Sequence, residues 1–250
     1  MTDVKEITEN HSNIPSKAKL PTTFGEFMIR VFHEKSTGFD HVALTLGDMQ
    51  GPDPVLIRVH SECLTGDAFG SLRCDCGPQL HAALDAIRDK GWGCLLYLRQ
   101  EGRGIGLHAK IQAYHLQDKG ADTLDANLML GYPGDARDYQ IAANMLKSLE
   151  IEKVTLLTNN PNKIEQLRSY GIDVVNRETL VVGVSDSNRS YLETKVERMG
   201  HSIDKNELAA KALSVMNNKK ITSLCVFNKK NKLKTIGVLH IHNILQSNIS

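Results

Sequence analysis

The chain has no long apolar run. Nothing in it approaches the ~18 consecutive apolar residues of a membrane-spanning helix, so no integral membrane protein is expected. It also lacks an excess of charge of either sign. The formal net charge is +1, so no global field draws it to nucleic acid or to a membrane surface, and a polyanionic ligand must be met locally by clustered Arg and Lys. Cysteine is scarce and odd in number, at five. Five thiols cannot pair completely, and the opening stretch MTDVKEITENHSNIPSKAK carries acids and no apolar segment that would serve as a signal or anchor. Free thiols in a reducing cytoplasm are the expectation. No internal repeat or low-complexity segment appears.

At 250 residues the chain can bury a substantial core and hold one large domain with a smaller one beside it. Residues 1–19 read as a loose polar tail. From Phe24 the text is strand-like: FGEFMIRVFHE, HVALTLGD and PVLIRVH, separated by turn chemistry at Ser36-Thr37-Gly38 and Gly51-Pro52-Asp53. These three pieces are expected to form an antiparallel sheet. Then the period changes. Pro78 opens a helix with Leu80, Ala83, Leu84 and Ile87 on one face, closed by Gly91. The strand CLLYL follows. The turn EGRGIG leads into a helix that ends at Gly120, and Asp138 is placed to cap a third. Strand 154–158 runs into NNPNK and a further helix that stops at Gly171, and strand 173–175 comes next. The centre is therefore an α/β unit. From about Ile203 the text reads as a small appended unit of helix, two strands (ITSLCVF and TIGVLHI) and a closing helix, HNILQS.

The cysteines divide into two groups. Cys94 lies in GCLLYL and Cys225 in SLCVF, both apolar, and both read as core. Cys63, Cys74 and Cys76 lie in RVHSECLTGDAFGSLRCDCG, a C-x10-C-x-C arrangement dense in polar residues. Three thiolates leave one position of a tetrahedral zinc open, which is the layout of a catalytic site rather than a closed structural one. Two other stretches invite a ligand. EGRGIG follows a strand and opens a helix, where backbone N–H groups favour an anion; Ala109 stands where a dinucleotide fingerprint needs glycine, so a plain Rossmann site is not expected. In TNNPNK, Thr158 ends a strand and Lys163 sits in the first helical turn, a position that suits lysine when an anion compensates it.

These segments together, RVHSECLTGDAFGSLRCDCGPQL, YLRQEGRGIGL, LGYPGDARDYQIAANML, LTNNPNK and YLETKVERMGH, resemble the GTP cyclohydrolase II family, over about Leu20 to Gly200. The resemblance implies a mixed α+β and α/β fold of that family, with an N-terminal antiparallel sheet, a central α/β unit and a catalytic domain over 20–200. It implies a homodimer that hydrolyses GTP in the cytoplasm, opening riboflavin biosynthesis, with one Zn2+ per subunit and Mg2+, and no nucleic-acid or membrane partner. Cys63, Cys74 and Cys76 match the zinc ligands; zinc can furnish a hydroxide nucleophile near neutral pH for attack at C8 of the guanine. Tyr114 matches a group that assists at the ring. Asp135 and Arg137 match a general base and a nucleophile toward the α-phosphorus, although a guanidinium of pKa above ~12 serves more simply by stabilising charge. Arg58, Val59, His60, Ser61, Glu62, Gln79, Glu101, Gly102, Arg103, Thr123, Thr158 and Lys163 match the GTP contacts. A carboxylate such as Glu101 suits the guanine edge, and the cations suit the phosphates. A non-catalytic GTP-binding regulator, or a zinc hydrolase of another nucleotide, is the rival; the complete set of zinc and phosphoryl-transfer residues favours the enzyme. No dihydroxybutanone-phosphate synthase domain is expected ahead of this chain. The segment 203–250 resembles part of a CBS motif, with Asn243 where an Asp commonly contacts ribose, which points to an interaction role rather than nucleotide sensing.

Overall fold

The computed structural model describes residues 6–9, 14–121, 123–180, 182, 202–204, 212, 223–228 and 231–240. Four strands come first: β1 (Ile7–Thr8), β2 (Lys17–Thr22), β3 (Gly25–Glu34) and β4 (Asp40–Leu46). They are antiparallel wherever they pair, β3 receiving β1, β2 and β4. Among the described residues before Leu20, Ile7–Thr8 and Lys17–Lys19 are thus strand-paired, in place of the loose tail expected there. Ile7 packs against the main core, and Lys35 holds Glu6 at 2.7 Å, which fixes the short β1.

β5 (Val55–Ser61) departs from the expected antiparallel pattern. It runs parallel to both of its neighbours, β6 (Gly93–Leu98) and β7 (Lys153–Leu157). The reason is visible in its burial: six of its seven residues are buried, so it has no solvent face. A strand covered on both sides belongs in the parallel part of a sheet. β8 (Asp173–Glu178) continues the parallel set, giving the order β1-β3-β4-β6-β5-β7-β8 with β2 on β3.

Helices cover both faces. α1 (Leu64–Asp67) is one turn. α2 (Cys76–Lys90) crosses from β5 to β6 and packs Ala83, Leu84 and Ile87 on Phe27, Leu56 and Leu95. It starts two residues before Pro78, whose missing N–H is harmless in a first turn, and ends at Gly91 in the left-handed region at φ 82°. A 3-10 turn (Glu101–Gly104), α3 (Gly106–Asp118) and α4 (Thr123–Met129) precede α5 (Gln140–Ser148). The N-cap of α5 is Tyr139 rather than the expected Asp138; Asp138 lies one residue earlier, where its carboxylate accepts Gln140 N at 2.8 Å and shapes the turn into the helix. α6 (Pro161–Ser169) is capped by Asn160, which accepts Asn162 N. α5 and α6 bury Ile141, Met145, Leu146 and Leu167 on the other face, against Ile57, Val59 and Leu156. The sequence named neither α4 nor α1; both are short and carry no helical stripe.

The crossover from β5 leads to β6 on one side, while β7 leads to β8 on the other. Opposite connections open a crevice at the carboxyl ends of the strands between them, where α/β sheets bind ligands. A second sheet orders β9 (Ser202–Asp204), β10 (Ser223–Asn228) and β11 (Asn231–His240); β10 and β11 are antiparallel and β9 is parallel to β10. The two strands expected there are present, with β9 as an additional one. The helices read around NELAAKALSVMNNKK and HNILQS, the motif YLETKVERMGH, Asn243 and the Cys225 side chain lie outside the described residues.

Candidate active site

β5 carries two buried polar side chains, Arg58 and His60, 5% and 3% exposed. Burying such groups is costly without partners, and each has them. Arg58 donates to Leu157 O at 2.9 Å and to Gln79 Oε1, while Gln79 donates to Asp75. His60 Nε2 donates to Asp67 at 3.0 Å. Asp67 also accepts Cys63 N at 3.0 Å and Tyr97 OH at 2.8 Å. Burial pulls the His60 imidazole below its ordinary pKa, so it is neutral and its Nε2–H fixes the tautomer. Both buried side chains therefore anchor the cysteine segment that follows β5.

The three cysteines converge. Their sulfur atoms lie within 4.8 Å of one another, and Cys63 Sγ is 3.6 Å from Cys74 Sγ. Tetrahedral zinc with Zn–S of about 2.3 Å sets its sulfurs about 3.8 Å apart, so the trio fits. Gly66 makes room. A Cβ there would lie 2.8 Å from Cys74 Sγ and 3.2 Å from Cys63 Sγ. Gly77 lets α2 close on α1, since its Cβ would meet Gly66 O at 2.4 Å. Cys76 begins a 15-residue helix, whose N-terminal N–H groups favour a thiolate. Hydrogen bonds from Cys74 and Cys76, aided by the Lys110 ammonium, hold the Cys63 thiol far below its ordinary range. The hydrogen bond with Cys63, followed by burial and the Cys63 charge, pushes Cys74 up to about 11. One thiolate forms readily and the next resists; a divalent cation removes that conflict. Cys94, by contrast, is fully buried and its thiol is raised to about 12 by burial, as befits core.

Tyr114 stands beside this trio. Its hydroxyl is 3.5 Å from Thr65 Oγ1, which is 3.7 Å from Cys63 Sγ. Arg73 lies over the Tyr114 ring, 4.8 Å from its centre. Glu101 closes the cluster from above: Oε2 accepts Leu64 N at 2.7 Å, and Oε1 accepts Gly102 N and Lys110 Nζ, each at 2.8 Å. Both Glu101 oxygens thus have protein donors.

The same turn reaches the second half of the site. Gly102 and Arg103 both take φ 62°, the left-handed region. Arg103 O accepts Ala136 N at 3.0 Å, and Gly104 lets Ala136 approach, since a Cβ at 104 would be 3.3 Å from its side chain. Ala136 is flanked by Asp135 and Arg137, which form a fork: Arg137 Nε donates to Asp135 Oδ1 at 2.8 Å and Nη2 to Oδ2. Burial alone would raise the Asp135 carboxyl; the Arg137 hydrogen bonds and charge outweigh it and hold it below the ordinary range. Lys163, buried in the first turn of α6, donates to Val59 O at 2.7 Å and lies 5.2 Å from the Tyr139 ring centre, with the Arg137 guanidinium 5.9 Å from the same ring. Arg58 Nε, His60 Nδ1 and Gln100 Oε1 are buried in this region without a protein partner.

Several expected contacts turn elsewhere. Glu62 pairs with Arg99 at 2.8 Å, and Thr158 Oγ1 accepts Asn160 N at 3.0 Å to shape its own turn. Thr123 opens α4; its side chain lies outside the described residues. Sequence reasoning missed Lys110, which touches Cys63, Thr65 and Glu101. A signal existed: Lys110 is four residues before Tyr114 and shares its helical face. Burial alone would lower its ammonium pKa, but Glu101 and the Cys63 thiolate reverse this and raise it, so Lys110 is charged.

Fold and site together define a mixed α/β protein with a trio of cysteines able to hold a metal ion, beside the parallel part of a mixed sheet. The family model for GTP cyclohydrolase II matches residues 13–179, and the chain belongs to that family. It is 58% identical to the GTP cyclohydrolase-2 of Proteus mirabilis (strain HI4320) over 190 residues, 76% of this chain and 96% of that protein. Against the GTP cyclohydrolase-2 of Acinetobacter baumannii (strain SDF) it is 58% identical over 191 residues, with the same coverage of 76% and 96%. Against that of Escherichia coli O9:H4 (strain HS) it is 56% identical over 190 residues, covering 76% and 97%. A solved two-domain 3,4-dihydroxy-2-butanone 4-phosphate synthase from A. baumannii overlaps 72% of this chain and 42% of its own at TM-score 0.39 and 16% identity, too distant to carry an argument.

Proposed function

We propose that this protein hydrolyses GTP to 2,5-diamino-6-(5-phosphoribosylamino)pyrimidin-4(3H)-one, formate and pyrophosphate, the first step of riboflavin biosynthesis. One observation carries the reading. A cysteine-only metal site and a carboxylate–guanidinium fork sit at the two ends of one short turn, Glu101–Gly104. An enzyme that attacks both the ring and the phosphates of one nucleotide needs that pairing. The near full-length identity to proteins bearing the name GTP cyclohydrolase-2 supports it.

Cys63, Cys74 and Cys76 would hold one Zn2+ per subunit, their sulfurs lying within 4.8 Å of one another. When bound, zinc is the Lewis acid that activates water for attack at C8 of the guanine. Tyr114 assists at the ring from beside the sulfurs. The stretch Arg58 to Glu62, with Gln79, Glu101, Gly102, Arg103, Thr123, Thr158 and Lys163, binds the nucleotide. Within it Arg103 and Lys163 face the phosphates. Glu101 acts through its neighbours, because its oxygens already accept from Leu64 N, Gly102 N and Lys110. Asp135 orients Arg137 against the α-phosphate. Mg2+ arrives on the triphosphate: the cysteine trio is the one group of three metal-binding side chains among the described residues, and Mg2+ is commonly held by substrate phosphates.

The protein works as a cytoplasmic homodimer with no nucleic-acid or membrane partner. The net charge of +1 supports this, as does the lack, among the described residues, of any helix long and apolar enough to cross a membrane. Phe69, Leu72 and Ile111, 73%, 66% and 48% exposed, offer apolar surface for assembly. The catalytic unit spans 20–200, and β1 and the start of β2, in the polar segment ahead of Leu20, pair onto its sheet. The segment 203–250 is a partial CBS-like appendage with an interaction role, supported by its β10–β11 pair.

Zinc-replete protein incubated with GTP and Mg2+ is expected to yield formate, pyrophosphate and the diaminopyrimidine; absence of all three overturns the proposal. A chain cut after Gly200 is expected to keep formate release at the full-length rate. A loss of turnover in soluble truncated protein would place the appendage inside the catalytic unit.

A further inference from the structure

Lys110 is buried, 7% exposed, yet it belongs to no part of the reaction as assigned above. Its Nζ has three neighbours at hydrogen-bond distance: Glu101 Oε1 at 2.8 Å, Thr65 Oγ1 at 3.0 Å and Cys63 Sγ at 3.2 Å. Three contacts use all three ammonium protons. Glu101, the second partner in this arrangement, also accepts Leu64 N at 2.7 Å, the amide next after Cys63. The ion pair therefore grips Cys63 twice, at its sulfur and at the backbone that follows.

A buried lysine of this kind is a costly way to fill space. Its position has an electrostatic consequence. Three thiolates bring the charge of a zinc site to −1, and strong sulfur donation makes the metal a poor Lewis acid. An ammonium hydrogen-bonded to one thiolate withdraws electron density from that sulfur and offsets the excess charge. Groups that bond to the ligands of a metal set its properties nearly as much as the ligands do. We propose that Lys110, held by Glu101, is a positioning residue that acts through Cys63: its N–H···S bond weakens sulfur donation and so sharpens the metal for ring opening. This rests on the function proposed above and deepens it. Thr65 completes the arrangement by joining Lys110 to the Tyr114 hydroxyl, so the tuning group and the ring-side group share one polar contact.

The test uses full-length wild type, Lys110→Met, Lys110→Gln and Lys110→Arg, each loaded with zinc and, separately, with Co2+. Three readouts are taken: the sulfur-to-cobalt charge-transfer band, the rate of Cys63 alkylation by iodoacetamide in zinc-loaded protein, and kcat and KM for formate release from GTP. In Lys110→Met the band is expected to move to lower energy and Cys63 to alkylate faster. The value of kcat is expected to fall about 10–100-fold, the range for changes beside metal ligands, with KM little altered. Lys110→Gln keeps a donor without charge and should fall between; Lys110→Arg keeps the charge and should restore the band toward wild type. If Lys110→Met does not fold, Lys110→Gln carries the same comparison. A wild-type band and wild-type alkylation in the uncharged variants overturn the inference, whatever their activity. A shifted band with unchanged kcat overturns its catalytic part. An inactive wild type defeats the proposed reaction instead, and the two failures are thereby separated.

Discussion

Cys74→Ser protein is expected to lose bound zinc and to release formate only at background level, while still releasing pyrophosphate from GTP. The argument starts from geometry. Cys74 is 5% exposed and its sulfur lies 3.6 Å from Cys63 Sγ, so it is a buried member of the trio. Serine nearly matches its shape but offers a hydroxyl, a much poorer zinc ligand at neutral pH than a thiolate. With two sulfurs left, the metal has neither its charge nor its geometry. The fold should survive, because the substitution is close in volume and α2 is held by Ala83, Leu84 and Ile87 far from the change. The Asp135–Arg137 fork shares no ligand with the trio. It is placed by the Arg103 O to Ala136 N bond and by the Gly104 approach, neither of which involves sulfur. Metal content by elemental analysis and separate assays of formate and pyrophosphate check this. Formate release at the wild-type rate from zinc-free protein would remove the metal from the mechanism. Equal loss of both products would mean that the fork acts only on ring-opened substrate.

Residue type carried the metal site, and residue type is what a sequence displays. Three cysteines in a stretch rich in Asp and Gly, with Pro close behind, are poor material for a core strand and read better as ligands, and the structure brings their sulfurs together. Glycines were legible as turns but not as clearances. That Gly66 is bare because two sulfurs, three and eight residues away along the chain, stand within 3.2 Å of its missing Cβ is a fact about how the segment folds back on itself, and no local pattern contains it. β5 shows a different limit. PVLIRVH followed two strand-like pieces across a short turn and so read as a third strand of an antiparallel sheet, with nothing local to say where Arg58 and His60 would lie. They are buried and paired to Gln79, Asp67 and Leu157 O, contacts that depend on α1, α2 and β7 coming together. Glu101 likewise looked like a guanine acceptor, since a carboxylate in a glycine turn is free in sequence. In three dimensions its oxygens close on Leu64 N, Gly102 N and Lys110. The strands before Leu20 were missed because β1 and β2 are mostly polar and gain their stability from pairing with β3, which a hydrophobic period does not record.

Arg137→Ala is expected to lower pyrophosphate release by about 10³–10⁵-fold, the range known for arginines that stabilise a phosphoryl transition state, which is at least about 4 kcal/mol of barrier. Formate assay, pyrophosphate assay and a trap for nucleotidylated protein are run together. The fork geometry favours charge stabilisation over attack by the guanidinium. Arg137 gives Nε and Nη2 to the two oxygens of Asp135, a bidentate match of charged partners. Burial would raise the Asp135 carboxyl, but the guanidinium holds it below the ordinary range, so it is a weak base. A carboxyl depressed in this way stabilises the folded state above its unfolded pKa and loses that contribution only as pH falls through the folded value. The fork is therefore intact at neutral pH and opens only in acid, and pyrophosphate release should not rise with pH through 6 to 8 on account of Asp135. Arg137→Lys keeps the charge without the fork and should recover part of the lost rate if charge is the role. If nitrogen attack is the role, a phosphorus–nitrogen bond forms on Arg137 as the bond to pyrophosphate breaks, Asp135 takes the proton, and water later cleaves the new bond. A nucleotidylated Arg137, carrying the α-phosphate still esterified to the nucleoside, caught during turnover would establish that path and displace charge stabilisation; Asp135→Asn would then be as damaging as Arg137→Ala, whereas an orienting Asp135 predicts the milder defect.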